Sequence, residues 1–245
     1  MKRILPMLFG VLGMAMVATS PAHAIDGLTA NGAVTSNYIF RGLSQSAANP
    51  AVQGGVDYDA GNGFAVGAWA SSLDFGTSPS GDDNAPIEID LYGSYTLAIT
   101  DMFSVSGGVV TYNYPNVPAG VNFNWYEVWG GLSYDFGFFS ASGKLYYSPD
   151  YVNLSDRQLY YTGGVSVPIT PWLALNANVG RTDLGHSIFP VIKDYTDWNV
   201  SLAATVDQFT LTVGYTDTDL DGAYEITSGP FQTNEQFFVM LSFRI

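Results

Sequence analysis

Ionisable side chains recur on one face of several alternating stretches of this sequence. Five carboxylates and one amine share that polar parity: Asp57, Glu88, Asp90, Glu127, Asp197 and Lys144. If this face surrounds a water-filled space, rings of carboxylates in a low-dielectric wall favour positive ions, and a mild cation preference is expected. The alternative is that the charges pair with each other, as Lys144 could with Glu127, and neutralise one another in a closed interior. The sequence leaves both interpretations open.

Large aromatic side chains have the same parity as these charges. The set is Trp69, Tyr92, Tyr112, Trp129, Tyr146 and Tyr160. Aromatic rings can stack on the flat faces of sugars or bases, or they can fill an interior and stiffen it. Two arginines, Arg41 and Arg244, are predicted at the rims of the polar face. There Arg41 could contact lipopolysaccharide phosphate or fold inward.

Nucleophilic catalysis finds little support. A hydrolase of the Ser–His type needs both side chains within hydrogen-bond reach of each other. His186 lies beside Ser187, and adjacent residues of an extended segment point apart. The chain has no cysteine, which excludes thiol catalysis, iron–sulfur clusters and Cys-ligated zinc. We therefore predict no enzyme activity and no cofactor.

One acidic run matches the start of a calcium loop. Asp217, Asp219 and Asp221 precede Gly222 in the spacing D-x-D-x-D-G. The twelfth position, where such a loop needs a bidentate Glu, holds Ser228. We therefore predict a solvated acidic hairpin end and no metal site. If calcium does bind here, Asp217, Asp219 and Asp221 are its candidate ligands.

Strict alternation of apolar and polar residues predicts the elements that position these side chains. From Leu159 to Val167, for example, every second residue is apolar, aromatic or Gly. Period two gives each strand one apolar and one polar face. Twelve such segments are predicted near 28–40, 51–59, 64–73, 87–98, 102–113, 123–134, 138–147, 158–168, 172–182, 195–206, 209–218 and 234–245.

Short and long connections alternate between these segments. The short ones are 60–63, 99–101, 135–137, 169–171 and 207–208, and the long ones include 74–86 and 219–233. This pattern predicts an all-β fold, a transmembrane antiparallel β-barrel of about 12 strands with short periplasmic turns and longer extracellular loops. A soluble β-sandwich is the alternative, but polar faces rich in Ser, Thr, Asn and Tyr and poor in Lys and Glu disfavour it.

The N-terminal residues predict export. Lys2 and Arg3 precede an apolar run from Ile4 to Val17, and Ala22-His23-Ala24 matches a cleavage site. We predict a signal peptide over 1–24 and an outer-membrane barrel domain over 25–245. The net charge of −14 excludes a nucleic-acid partner held by phosphate contacts.

The ends of the apolar face are also informative. Aromatic residues are predicted to form girdles at both membrane interfaces, with Tyr38 in the outer one. The last strand alternates to the final residue through Phe237, Val239, Leu241, Phe243 and Ile245. This run resembles the C-terminal signal that the outer-membrane assembly machinery of bacteria reads, so that machinery is a predicted partner.

The N-terminal half carries a family resemblance. The segments 36–46 (SNYIFRGLSQS), 50–58 (PAVQGGVDY), 67–71 (GAWAS) and 88–93 (EIDLYG) resemble the opening of the TorF family of outer-membrane porins. The resemblance implies a Gram-negative outer-membrane barrel that acts as a porin, and it names no solute.

Barrel dimensions limit the function. Twelve strands spaced about 4.8 Å apart and tilted about 40° give a backbone diameter of about 24 Å and a narrow lumen. We expect a channel for passive diffusion of small solutes, in contact with membrane lipids and lipopolysaccharide. The alternative is a barrel with a blocked lumen whose loops bind lipopolysaccharide or a partner. The oligomeric state is not predicted.

Overall fold

The structure, a computed structural model, describes residues 25–77, 81, 84–153, 156–185 and 193–245. The predicted signal peptide, 1–24, lies outside these residues. Fourteen strands are present in the described part. In chain order they are β1 (Leu28–Thr35), β2 (Ile39–Phe40), β3 (Leu43–Ser44), β4 (Ala51–Asp59), β5 (Phe64–Ser72), β6 (Ile87–Ala98), β7 (Phe103–Asn113), β8 (Trp125–Asp135), β9 (Ser140–Ser148), β10 (Gln158–Thr170), β11 (Leu173–Leu184), β12 (Tyr195–Val206), β13 (Phe209–Thr218) and β14 (Gln236–Arg244). Two 3₁₀ turns lie at Tyr151–Asn153 and Gly222–Tyr224.

Twelve of these strands form one closed antiparallel barrel. The hydrogen-bonded order is β1-β14-β13-β12-β11-β10-β9-β8-β7-β6-β5-β4, and β4 pairs with β1. Closure is completed at the C-terminus, where the amide of Ile245 donates to the carbonyl of Ala30 at 2.9 Å and the reverse bond is 2.8 Å. The predicted 12-stranded barrel is confirmed. Because the sheet closes on itself, it leaves no unpaired edge.

Short and long connections lie at opposite ends of the barrel. The turns after β4, β6, β8, β10 and β12 lie at the end that carries both described termini, here called the turn end. The connections after β1, β5, β7, β9, β11 and β13 lie at the other end, here called the loop end. No helix among the described residues is long and apolar enough to cross a membrane.

The outer surface of the barrel is apolar. In β14 the outward Phe237 is 76% exposed, whereas its neighbour Phe238 on the inner face is 6% exposed. The same alternation exposes Val, Leu and aromatic side chains on the other strands. A continuous apolar surface of this extent is not typical of a soluble monomer.

The first predicted strand is wrong in its second half. Alternation predicts a strand to residue 40, but β1 ends at Thr35, and residues 36–50 turn into the barrel and carry the short hairpin β2–β3. Tyr38, predicted in the outer girdle, is therefore buried at 2% exposure. We call residues 36–50 the lumen hairpin.

Apolar packing inside the barrel is concentrated at the loop end. One cluster joins Tyr112, Trp125 and Tyr114 to Phe40 of the lumen hairpin, and a second joins Tyr195 and Leu220 to Leu43. The loops that follow β5 and β13 also meet, because the rings of Phe75 and Phe231 lie 4.6 Å apart. The lumen hairpin is thus packed under the loops at this end.

Candidate functional site

The lumen hairpin is held together by its own polar side chains. The Tyr38 amide donates to Ser46 Oγ at 2.9 Å, and the hydroxyl of Ser44 donates to Asn37 Oδ1 at 2.7 Å. Ser44 Oγ also accepts from the amide of Ala48 at 2.9 Å. Small hydroxyl residues can form such local bonds with the backbone. The segment therefore has a defined shape inside the barrel.

Arg41 at the hairpin tip binds the barrel wall. Its Nη2 lies 2.7 and 2.8 Å from the two carboxylate oxygens of Glu127 on β8, and its Nη1 donates to Gln158 Oε1 on β10 at 2.7 Å. The side chains of Arg41 and Glu127 are 6% and 0% exposed. Tyr112 also orients this carboxylate, since its hydroxyl donates to Glu127 Oε2 at 2.9 Å. The ion pair is therefore buried.

Aromatic rings surround the guanidinium. The Arg41 Cζ atom lies 4.1 Å from the ring centre of Tyr160, 4.6 Å from that of Phe40 and 5.2 Å from that of Tyr146. These are cation–π distances. Burial alone would lower the pKa of Arg41, but the charge of Glu127 outweighs it and raises the pKa above its ordinary value. The guanidinium is therefore charged.

The residue after Arg41 touches the opposite side of the wall. Gly42 has φ +80°, and a Cβ there would lie 2.6 Å from Thr218 Cγ2 and 2.9 Å from Asp197 Cβ. Only glycine combines this backbone conformation with so close an approach. The tip of the hairpin consequently contacts β8 and β10 on one side and β12 and β13 on the other.

Tyr38 joins the hairpin to a third part of the wall. Its hydroxyl donates to Glu88 Oε1 on β6 at 3.0 Å, and its ring meets that of Trp69 on β5 edge-on at 5.5 Å. Burial, assisted by the charge of Glu88, raises the pKa of Tyr38 well above its ordinary value, so the hydroxyl remains a donor. Asp90, next on the same face, is 6% exposed, and its Oδ1 has no hydrogen-bond partner among the described residues.

Below the hairpin, toward the turn end, lies a cavity of about 230 Å³. Its charged lining residues are Arg41, Lys144 and Asp197. Neutral polar groups line much of the remainder, among them Gln53, Ser140, Ser142, Thr162, Ser166, Asn176, Asn178, Asn199, Ser201, Thr212 and Thr216. The Nζ atom of Lys144 lies 4.7 Å from the ring centre of Trp129. Apolar side chains such as Phe40, Phe238 and Met240 line it as well. The cavity is thus a mixed polar and apolar space, bounded on its loop-end side by the hairpin tip.

Several inner aromatic rings lie flat against the wall. A Cβ at Gly180 would overlap the ring of Tyr160, and a Cβ at Gly67 would overlap that of Tyr92. Rings placed over glycines on the neighbouring strand project less into the lumen. The ring of Tyr146 lies 6.1 Å from those of Trp129 and Tyr160. The structure thus arranges these predicted residues as a lining along β8, β9 and β10.

Two predicted residues lie near the turn end. Asp57 accepts from the Tyr92 hydroxyl at 2.6 Å and from Asn31 Nδ2 at 3.2 Å. Arg244 donates to Thr29 Oγ1 at 2.9 Å. The Asn31–Asp57 and Arg244–Thr29 contacts both join residues of neighbouring strands.

One predicted placement differs from the structure. Arg41, predicted at the rim, lies inside the barrel because residues 36–50 fold inward instead of continuing β1. Glu127, which the alternative interpretation pairs with Lys144, is bound by Arg41 through both of its oxygens, and Lys144 Nζ lies over the Trp129 ring. The sequence signal for the inward fold is the uninterrupted run Tyr38-Ile39-Phe40, which breaks the alternation. Sequence reasoning missed Gln158 as a partner of Arg41.

The candidate calcium ligands are engaged by other groups. Asp219 lies 3.6 Å from Arg181 Nη1 and accepts from the Thr196 amide at 2.7 Å. Asp221 pairs with Lys193 at 3.5 Å, and Asp217 accepts from the Tyr215 hydroxyl at 2.9 Å. Within the described ranges no group of carboxylates or histidines is arranged to hold a metal ion. His186 and Ser187, considered for catalysis, lie outside the described residues.

The outward side chains of the predicted assembly signal are exposed on β14. Phe237, Val239, Leu241 and Phe243 are 76, 47, 53 and 40% exposed, and Ile245 is 58% exposed. They form part of the apolar outer surface, beside the seam with β1.

Comparison with solved structures identifies similar barrels. The NanC porin is 14% identical with a TM-score of 0.61, covering 89% of this chain and all (100%) of its own. The KdgM porin is 10% identical with a TM-score of 0.58, covering 88% of this chain and 98% of its own. A complex of KdgM porin with disordered oligogalacturonate is 11% identical with a TM-score of 0.55, over 88% and 97% of the two chains. At these identities the likeness establishes the fold.

Family assignment rests on sequence. No curated protein matches this chain, and the resemblance to the TorF family is not confirmed. One family model matches residues 17–243, which is nearly the whole chain. The chain therefore belongs to the Gcw_chp family, described as a bacterial protein of unknown function.

Proposed function

We propose that this protein is a channel of the bacterial outer membrane for passive diffusion of small hydrophilic solutes, with the lumen hairpin controlling the passage. The observation that carries the proposal is a closed barrel with an apolar outside and, within, a cavity of about 230 Å³ that many hydroxyl and amide side chains line. A lipid-facing barrel must satisfy every backbone group internally, which closure achieves. The turn end is then periplasmic, and the loop end faces lipopolysaccharide.

The lining indicates the solute class. Hydroxyl and amide groups such as Ser201, Thr212 and Asn178 can exchange hydrogen bonds with a hydroxylated solute, and the ring of Tyr146 adds an apolar face. Similar barrels include NanC porin and a KdgM porin in complex with oligogalacturonate, which is consistent with a small polar solute here. Insertion would depend on the outer-membrane assembly machinery acting on β14.

The predicted cation preference applies, in this proposal, to the state in which the hairpin has withdrawn. While the hairpin is docked, Glu127 is paired with Arg41 and Glu88 accepts from Tyr38. Withdrawal would leave Glu88, Asp90, Glu127 and Asp197 facing water near the loop end, where carboxylates favour cations.

One specific observation favours a second function, a barrel whose lumen is permanently blocked and whose loops bind lipopolysaccharide or a partner. The hairpin contacts β5, β6, β8, β10, β12 and β13, and apolar clusters pack above it.

Liposome swelling distinguishes the two functions. We compare the wild-type chain with a variant in which residues 37–48 are replaced by a short Gly-Ser linker. A gated channel predicts that the wild type admits monosaccharides and that the variant admits them faster. If the wild type admits no sugar although it inserts and resists heat as a folded barrel, the channel proposal is wrong, and uptake by the variant alone supports the blocked barrel.

A further inference from the structure

We infer that the barrel wall carries a binding site for guanidinium cations and that Arg41 fills it as an internal ligand. The site consists of the Glu127 carboxylate, the Gln158 amide oxygen and the rings of Tyr146 and Tyr160. When the hairpin withdraws, the same groups are available to a free solute that carries a guanidinium group. The binding site itself does not require transport, whereas its role in opening rests on the proposed function.

The contacts of Arg41 show what the site recognises. Nη2 meets both Glu127 oxygens and Nη1 meets Gln158, so two of the guanidinium nitrogens have wall acceptors at 2.7–2.8 Å. A planar fork of donors fits this arrangement, whereas an ammonium group is a compact charge without that fork. The ring of Tyr160, whose centre lies 4.1 Å from Arg41 Cζ, adds a cation–π contact. The chemistry therefore selects a guanidinium over an amine.

The site is organised by the wall and not by the hairpin. Tyr112 donates to Glu127 at 2.9 Å and is itself stacked on Trp125 at 4.0 Å, which fixes the carboxylate. The ring of Tyr160 lies over Gly180, and its hydroxyl donates to Asp197 Oδ1 at 3.3 Å. Of the three rings described near the Arg41 guanidinium, Phe40, at 4.6 Å from Cζ, belongs to the hairpin and the other two belong to the wall. We therefore expect the site to keep its shape when Arg41 is removed.

A free cation can reach the site from the cavity. Arg41, Tyr146 and Tyr160 all line the cavity that lies toward the turn end. Removal of the Arg41 side chain would extend that cavity to the carboxylate of Glu127. An unpaired buried carboxylate is strongly unfavourable, so a ligand that neutralises it should bind there.

Calorimetry on the full chain in detergent micelles tests the binding site. The proteins are the wild type, Arg41→Ala and the double variant Arg41→Ala/Glu127→Gln, and the probes are methylguanidinium, methylammonium and N-methylurea. Methylguanidinium should bind Arg41→Ala at least tenfold more tightly than it binds either of the other proteins. N-methylurea, which has nearly the same shape without charge, and methylammonium should each bind Arg41→Ala at least tenfold more weakly than methylguanidinium does.

Three results would overturn the binding site. In the first, methylguanidinium binds Arg41→Ala and the double variant with equal affinity. In the second, Arg41→Ala binds methylammonium as tightly as methylguanidinium. In the third, a folded Arg41→Ala protein does not bind methylguanidinium. If Arg41→Ala does not fold, the variant with residues 37–48 replaced serves instead, since it also vacates the site, and it is compared with the same variant carrying Glu127→Gln.

Planar-bilayer recording tests the role in opening. Methylguanidinium competes with Arg41 for Glu127, so it should raise the open probability of the wild type, and N-methylurea should not. Calorimetric binding without any conductance would uphold the site and refute the channel. Conductance without selective binding of methylguanidinium to Arg41→Ala would uphold the channel and refute the binding site.

Discussion

Removing the Glu127 carboxylate should release the lumen hairpin. In Glu127→Ala the guanidinium of Arg41, which is 6% exposed, would remain buried without its counter-ion. Breaking a buried pair in this way costs about 3–5 kcal/mol. At about 1.36 kcal/mol for each tenfold change, the ratio of docked to undocked hairpin should fall by roughly 10² to 10⁴. Undocking lets Arg41 regain water in the lumen.

Thiol labelling measures this ratio directly, because the chain has no cysteine. Ser44 is 0% exposed in the hairpin, so Ser44→Cys should react slowly in the wild-type background. Adding Glu127→Ala should accelerate modification of the thiol at position 44 by at least about 10²-fold. The labelling rate of Ala48→Cys, at an exposed position, sets the upper limit of this acceleration. The measurement uses a small water-soluble thiol reagent on the protein in liposomes.

The paired replacement Arg41→Met/Glu127→Gln is the control. It removes both charges and nearly keeps side-chain volume, and the amide oxygen introduced at position 127 can still accept from the Tyr112 hydroxyl. Labelling of Ser44→Cys should then stay slow. If Glu127→Ala labels no faster than the wild type, the ion pair does not hold the hairpin and the reasoning is refuted.

Two other substitutions test the contacts of the hairpin and the cavity. Gly42→Ala should accelerate labelling of Ser44→Cys, because its Cβ would lie 2.6 Å from Thr218 and its positive φ costs an L-residue about 1–2 kcal/mol. Gly120→Ala is the control, since Gly120 has a similar φ of +85° but open space around it, and it should leave the labelling rate unchanged. Equal acceleration by both variants would contradict the close contact of Gly42. Lys144→Glu is tested in the variant with residues 37–48 replaced. It should move the reversal potential in a KCl gradient toward cation selectivity, because it replaces the positive charge of a cavity-lining residue with a negative one. A shift toward anion selectivity would contradict the placement of Lys144 in the lumen.

The barrel could be predicted from the sequence because alternation is a local property. In each strand, the residue type at alternate positions indicates which side faces the apolar exterior. Position decides exposure even for two neighbours of one type, since Phe237 is 76% and Phe238 6% exposed. Eleven of the twelve predicted segments match barrel strands within about two residues, a small error for element boundaries. The same parity, read from the sequence alone, places Glu127, Asp197 and Tyr160 on the inner face.

The hairpin could not be predicted because its contacts are distant in sequence. Arg41 and Glu127 are separated by 86 positions, and Asn37 and Gln236, which share a buried hydrogen bond, by 199. No periodicity reports on such pairs. Inner-face parity also does not state whether a carboxylate meets water or another side chain, which is why the sequence predicts only that Glu127 lines the lumen or pairs with Lys144.

The composition of the hairpin contacts bears on whether it moves. A permanent plug would gain most from apolar burial, at about 1.5–3 kcal/mol for each large side chain, and the hairpin offers Phe40 and Leu43 to the two clusters. Arg41, Tyr38 and Asn37 also bind the wall through polar contacts, and the Tyr38 ring packs edge-on against Trp69. Neutral hydrogen bonds contribute about 1 kcal/mol net when water is the alternative partner, and a water-filled lumen supplies that alternative on undocking. Docking is then a balance of a few kcal/mol, within reach of a competing ligand.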